Sequence, residues 1–215
     1  MINWNLPPEE IERLSFEIID RETPAHDWPP EAWRIVRRLI HTSADFEYVA
    51  SVRMHTRAIS SGLEALRQGR SVVTDTRMAL SGLSLKRLEP LGVKTVCLID
   101  HPEVKAAARN RNTTRAAAAV DLALEAAKKG EISIGLMVIG NAPTALFRLL
   151  ERLEAGDPAP NLIIGLPVGF VHAAEAKAAL VENPVPYLTA LGRKGGSNVA
   201  AAAVNALAEL AAEPL

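Results

Sequence analysis

From residue 71 onward the chain alternates two hydrophobic rhythms. Short runs rich in β-branched and aliphatic residues, "SVVTD" (71–75), "VKTVCLID" (93–100), "ISIGLMVIG" (132–140), "NLIIGLPVG" (161–169) and "VPYLTAL" (185–191), predict five strands. Three of these are nearly continuous apolar runs, the pattern of a parallel strand covered on both faces. Between them lie "SLKRLEPLG", "PEVKAAARNRNTTRAAAAVDLALEAAKKG", "APTALFRLLERLEAG" and "HAAEAKAALVEN", and "GSNVAAAAVNALAELAA" follows the last strand. Their apolar residues recur at three- and four-residue spacing, as in Leu146, Leu149, Leu150 and Leu153, so they predict covering helices. The repeated unit is βαβ. The expected fold class is α/β, a five-stranded, mainly parallel sheet flanked by helices.

The first 70 residues predict an N-terminal helical layer. "PPEAWRIVRRLIH" sets Trp33, Val36 and Ile40 on one face, with prolines at its start where a missing N–H does least harm. "TRAISSGLEALRQGR" predicts a second helix, stopped near Gly69. No flexible linker separates these stretches from the sheet, so a single domain over 1–215 is expected.

Composition narrows the picture. Hydrophobic residues make up 48% of the chain but aromatic ones only 4%, so the core must be built mainly from Ala, Val, Leu and Ile. With 24 basic against 25 acidic residues there is no global basic field, and no nucleic-acid partner is expected. The single cysteine, Cys97, excludes an internal disulfide framework and reads as a core thiol of a reducing compartment. The acidic start "MINWNLPPEEIERLSFEIIDRE" has no signal-peptide pattern, and no apolar run reaches the roughly 18 residues of a membrane span. A cytoplasmic protein with no membrane partner is expected.

Candidate chemistry belongs at the carboxyl ends of the strands, where the βα loops of a parallel sheet emerge. The last loop carries the densest signal: Arg193 and Lys194 precede Gly195 and Gly196, and Ser197 opens a helix. Two cations beside backbone N–H groups at a helix start suit an anion, and a plain capped turn would use similar residues. In "GNAPTAL", Asn141 reads as an N-cap. Met54, Met78 and Met137 read as packing residues. The five histidines lack metal-ligand spacing, so no metal site is expected. His41 closes the helix in "RRLIHTSADFEY", where the dipole favours a cation while Arg37 and Arg38 oppose one. The residues alone leave both a capping and a catalytic role open.

Taken together, "SFEIID", "RRLIHTSADFEY", "VTDTRMALSG", "GNAPTALFRLLE", "IGLPVGFVHAAEAK" and "GRKGGSNVAAAAVNALA" resemble the precorrin-8X methylmutase family and its cobalt-precorrin-8 counterpart, from Ser15 to about Leu207. The resemblance implies an isomerase of cobalamin biosynthesis. It moves a methyl group from C-11 to C-12 of a corrin-like macrocycle by a [1,5]-sigmatropic shift, giving hydrogenobyrinic acid, or cobyrinic acid when cobalt is in the ring. His41 falls on the family's proton-handling histidine. Ser15 and Arg38 fall on its substrate-contacting serine and arginine, and Arg115, in "TTRAAAA", on a motif arginine usually followed by serine. Such a substrate, apolar across its face and fringed with carboxylates, needs a proton donor near the ring and cationic or N–H donors at its edge. Arg193, Lys194, Gly195, Gly196 and Ser197 add to that edge. No cofactor or methyl donor is implied, and a homodimer is. Two other readings fit parts of the chain: a non-catalytic carrier of a corrinoid intermediate, and an α/β enzyme using the glycine turn to hold a small anion.

Overall fold

The apolar runs assemble into six strands, one more than the hydrophobic rhythm predicts. The computed structural model describes residues 5–214; residues 1–4, the tip of the acidic start, and Leu215 lie outside the described residues. In chain order the elements are α1 (Pro8–Glu22), α2 (Pro30–Ser43), α3 (Tyr48–Ser51), β1 (Val52–Met54), α4 (Ala58–Arg67), β2 (Ser71–Thr74), α5 (Arg77–Ser81), α6 (Leu85–Leu88) and β3 (Thr95–Val96). Then follow α7 (Pro102–Asn110), α8 (Arg115–Lys128), β4 (Ile134–Ile139), α9 (Pro143–Glu154), β5 (Leu162–Gly165), α10 (Ala173–Val181), β6 (Tyr187–Ala190) and α11 (Ser197–Ala211).

The sheet runs β1-β6-β5-β4-β2-β3, parallel except for β1, which lies antiparallel on β6 with Val52 opposite Ala190. The expected five strands are therefore corrected to a mixed sheet of six. β1 escaped the reading because a three-residue edge strand buries too little to show a period. At the other edge, "VKTVCLID" contributes only Thr95 and Val96 to the ladder, and Cys97 just beyond them is half-buried rather than sealed in the core.

Alternation along the strands feeds two cores. Leu136 and Val138 of β4, with Leu162 and Ile164 of β5, face a layer of α1, α2, α4 and α11. Met137 and Ile139, with Ile163, face α8, α9 and α10. The long run after residue 101 is two helices rather than one, broken where Asn112 takes a positive φ of 48° and Thr114 caps α8 by accepting the Ala117 N–H. The alanines of α11 are almost wholly buried, which lets its backbone lie close to α2 and to the sheet.

Candidate active site

α2 ends at the sheet's carboxyl rim because it runs antiparallel to α11. Arg34 near its start pairs with Glu213 just past the far end of α11 at 2.6 Å, Arg38 pairs with Glu209 at 3.1 Å, and Asp45, just past the helix, meets Lys194 just before α11 at 2.5 Å. His41 lies in the last turn of α2, exposed to solvent, with its ring 5.2 Å from that of Phe16 on α1. The same phenyl ring supports the guanidinium groups of Arg37 at 4.4 Å and Arg38 at 4.7 Å. One aromatic side chain thus aligns an imidazole and two cations, through contacts that are individually weak.

The charges here are balanced rather than free. Arg38 is only 12% exposed and donates to Glu12 at 2.5 Å as well as to Glu209. Arg87 joins Glu209 at 3.2 Å, and Arg37 pairs with Asp20 at 2.7 Å. The hydrogen bond from Arg38 holds the Glu12 carboxyl below its ordinary range; burial opposes this, and the charges of Arg38, Arg87 and His41 add to it. Ser15 sits one residue before Phe16, and its hydroxyl donates to the Ile11 carbonyl at 2.7 Å, leaving its oxygen able to accept.

The glycine turn forms a second group. Gly196 N–H donates to the Leu166 carbonyl at 2.9 Å and Gly169 N–H to the Arg193 carbonyl at 3.1 Å, so the turn is stitched to the loop after β5. Gly195 is needed there, because a Cβ would stand 2.3 Å from the Leu166 oxygen. The Gly196 N–H is therefore not open to an anion, and Ser197 is buried with its hydroxyl 2.9 Å from that of Thr76. What remains exposed is the Arg193 guanidinium, 5.4 Å from the Phe170 ring, and the Lys194 ammonium. Lys194 also reaches Glu47 at 2.9 Å, which together with Asp45 ties this group to the exit of α2. Arg115 stands apart at the start of α8, 56% exposed and 3.5 Å from Asp100, which also meets Arg77.

Three features at the rim or just behind it were not read from the sequence. Val168, Phe170 and Val171 project from the loop after β5, and Met78, expected to pack, is 70% exposed after β2. Their cue was a hydrophobic run continuing past the end of a strand. Asp75 is buried at the end of β2 and accepts the N–H groups of Gly140, Asn141 and Ala142 at 2.9 to 3.0 Å. Burial pushes its carboxyl up from the ordinary range, with those donors opposing. The expected N-cap at Asn141 is corrected accordingly: Ala142 precedes α9, and a carboxylate from the neighbouring strand satisfies the amides. Lys177 is completely buried on α10. A separate cleft of about 660 Å³ opens beside β1, lined by Trp28, Pro30, Met54, His55, Ile59 and Ser60, and it includes none of the expected site residues.

A mixed sheet whose rim sets cations beside exposed apolar side chains, with an imidazole at the adjoining helix end, defines an α/β protein whose rim offers both cationic and apolar contacts to a ligand. Residues 10–210 match the precorrin-8X methylmutase (CbiC) family. The chain belongs to that family, whose members are isomerases of cobalamin biosynthesis. Cobalt-precorrin-8 methylmutase of Salmonella typhimurium is 44% identical over 211 residues, covering 93% of this chain and 94% of its own. Precorrin-8X methylmutase of Pseudomonas aeruginosa is 40% identical, covering 97% and 98%. The crystal structure of precorrin-8X methylmutase from Thermus thermophilus superimposes with a TM-score of 0.84 at 44% identity, covering 94% of this chain and 97% of the other.

Proposed function

We propose that this protein converts precorrin-8X, or its cobalt-containing counterpart, to hydrogenobyrinic or cobyrinic acid, with His41 as proton donor and acceptor. The observation that carries this reading is the placement of His41: an exposed imidazole, set against Phe16 in line with Arg37 and Arg38, at the helix end that Lys194 ties to the rim. His41 gives a proton to the macrocycle, and the ring becomes a delocalised cation. The methyl group then breaks its bond to C-11 and forms one to C-12 within the same molecule, and the proton returns to the imidazole. Reactant and product are isomers, so nothing else is consumed. Histidine suits the task because it gives and recovers a proton near neutral pH.

The remaining groups hold the substrate. Arg38, Arg193, Lys194 and Arg115 offer cationic partners to its acetate and propionate carboxylates. Phe170, Val171 and Met78 offer apolar contact to its face, and Ser15 accepts a hydrogen bond. At Arg38 a substrate carboxylate joins or displaces Glu12, the more exposed of its two partners at 46% against 36% for Glu209. We place this activity in the cytoplasm, in a homodimer, because a sheet domain of this size does not by itself enclose so broad a ligand.

The test is the visible spectrum of precorrin-8X on addition of protein. The wild type is expected to convert it, and His41→Ala to remain folded while losing turnover by about 10²- to 10⁴-fold. Full activity in that variant removes the mechanism, and binding without conversion by the wild type makes the protein a carrier.

A further inference from the structure

Lys177 is the largest fully buried side chain among the described residues, and the active-site chemistry outlined above does not use it. It sits on α10 with Ala173, Ala176 and Leu180, on the face turned to the core. Its ammonium donates to the backbone carbonyl of Lys194 at 2.6 Å. Among the described residues no charged partner offsets the burial, which pushes the ammonium down to about 8. A methionine there would bury a similar stem without desolvating a charge. What it could not supply is the donor.

The carbonyl it holds lies at the centre of the glycine turn. On one side Gly169 N–H binds the Arg193 carbonyl, and on the other Gly196 N–H binds the Leu166 carbonyl. Outward from this turn the Lys194 side chain reaches Asp45 and Glu47, and Arg193 lies beside Phe170. A turn with two glycines has wide conformational freedom, so it keeps one arrangement only if its backbone is bound from outside.

We propose that Lys177 is a positioning residue: through the Lys194 carbonyl it fixes the turn that presents Arg193 and Lys194 to the carboxylates of the substrate. This rests on the substrate reading given above. It predicts that Lys177 acts on substrate binding rather than on the methyl shift, since it lies behind the rim and touches no reacting atom.

Lys177→Met keeps the bulk and removes the donor. Its melting temperature is expected within about 5 °C of wild type. In the ligand-free protein the Gly196 amide should exchange at least about tenfold faster, and KM should rise about tenfold while kcat changes less than about threefold. A merely structural lysine would instead lower the melting temperature and the active fraction, so that apparent kcat fell at constant KM. Unchanged exchange at Gly196, or unchanged KM, overturns the proposal. Should Lys177→Met fail to fold, Lys177→Gln, whose amide is too short to span the same gap, carries the same comparison. The exchange measurement needs no substrate: faster exchange in Lys177→Met together with full activity in His41→Ala would sink the proton-transfer mechanism and leave the positioning role standing.

Discussion

At Gly195 a single hydrogen atom decides whether the rim can form. The Leu166 carbonyl occupies the space a side chain would take, at 2.3 Å from a Cβ, and that oxygen also receives the Gly196 N–H. Gly195→Ala is expected to push the turn off the loop after β5 and to destabilise the protein by about 1–3 kcal/mol, measured by denaturant titration. An unchanged midpoint would mean the turn already had room to move. Glu12 illustrates the electrostatics at the same scale. Its carboxyl is depressed by folding, so the stability it contributes is present above its ordinary value of 4.5 and is lost as pH falls below it. The pair is partly exposed, which limits the effect to less than about 1 kcal/mol. Acid titration should show this component in the wild type and not in Glu12→Gln. His41 and Arg38 were singled out by the family motif they stand in; residue type and spacing alone left both a capping and a catalytic role open for His41. Lys177 was visible only as a charge where a three-four period calls for an apolar residue, and periodicity alone cannot say what such a charge binds.

Among the elements, β2 and β4 matter most. The strand order reverses between them, which makes this the crevice where an open α/β sheet usually takes its ligand. Here Asp75 fills the position, with its carboxylate bound to the three amides before α9. The protein therefore supplies its own anion to that helix start. With these amides occupied, the groups left for the proposed substrate are the cations of the outer rim and α2. Replacing Asp75 with Asn puts an NH₂ group against at least one of the three N–H donors that the carboxylate accepted. A loss of about 1–3 kcal/mol is expected, read from the denaturation midpoint, with faster amide exchange at Asn141 and Ala142. Equal stability would show that water replaces the lost acceptor. Element types were legible wherever a period ran long enough, as in α9 and β4. The break between α7 and α8 was hidden because both halves are rich in helix-forming residues, and the turn depends on one left-handed asparagine.

For the molecule as a whole, the two helical layers bury both faces of the sheet. Behind the rim, Asp121 on α8 receives Arg148 at 2.7 Å and Arg152 at 2.8 Å from α9, a charge network joining the two helices on the face away from His41. Among the described residues no helix is long and apolar enough to cross a membrane. Phe170, Val171 and Met78 leave apolar surface at the rim, of the kind the proposed substrate or a second subunit would cover. Sedimentation of the purified protein is expected to give twice the chain mass. A monomer at micromolar concentration would mean that one chain forms the whole site.

The amino-acid sequence by itself determined the α/β class, the apolar strands of the sheet's centre and the longer covering helices, and it carries the motifs by which the chain resembles its family. These rest on local rules: period, turn chemistry and residue type at short spacing. Only the tertiary structure decided that a sixth strand lies antiparallel at the edge, that Asp75 occupies the crevice, and that Lys177 grips a turn seventeen residues away. Each of these joins groups from different elements. Such pairings follow from how the layers pack, which no local window of the chain contains.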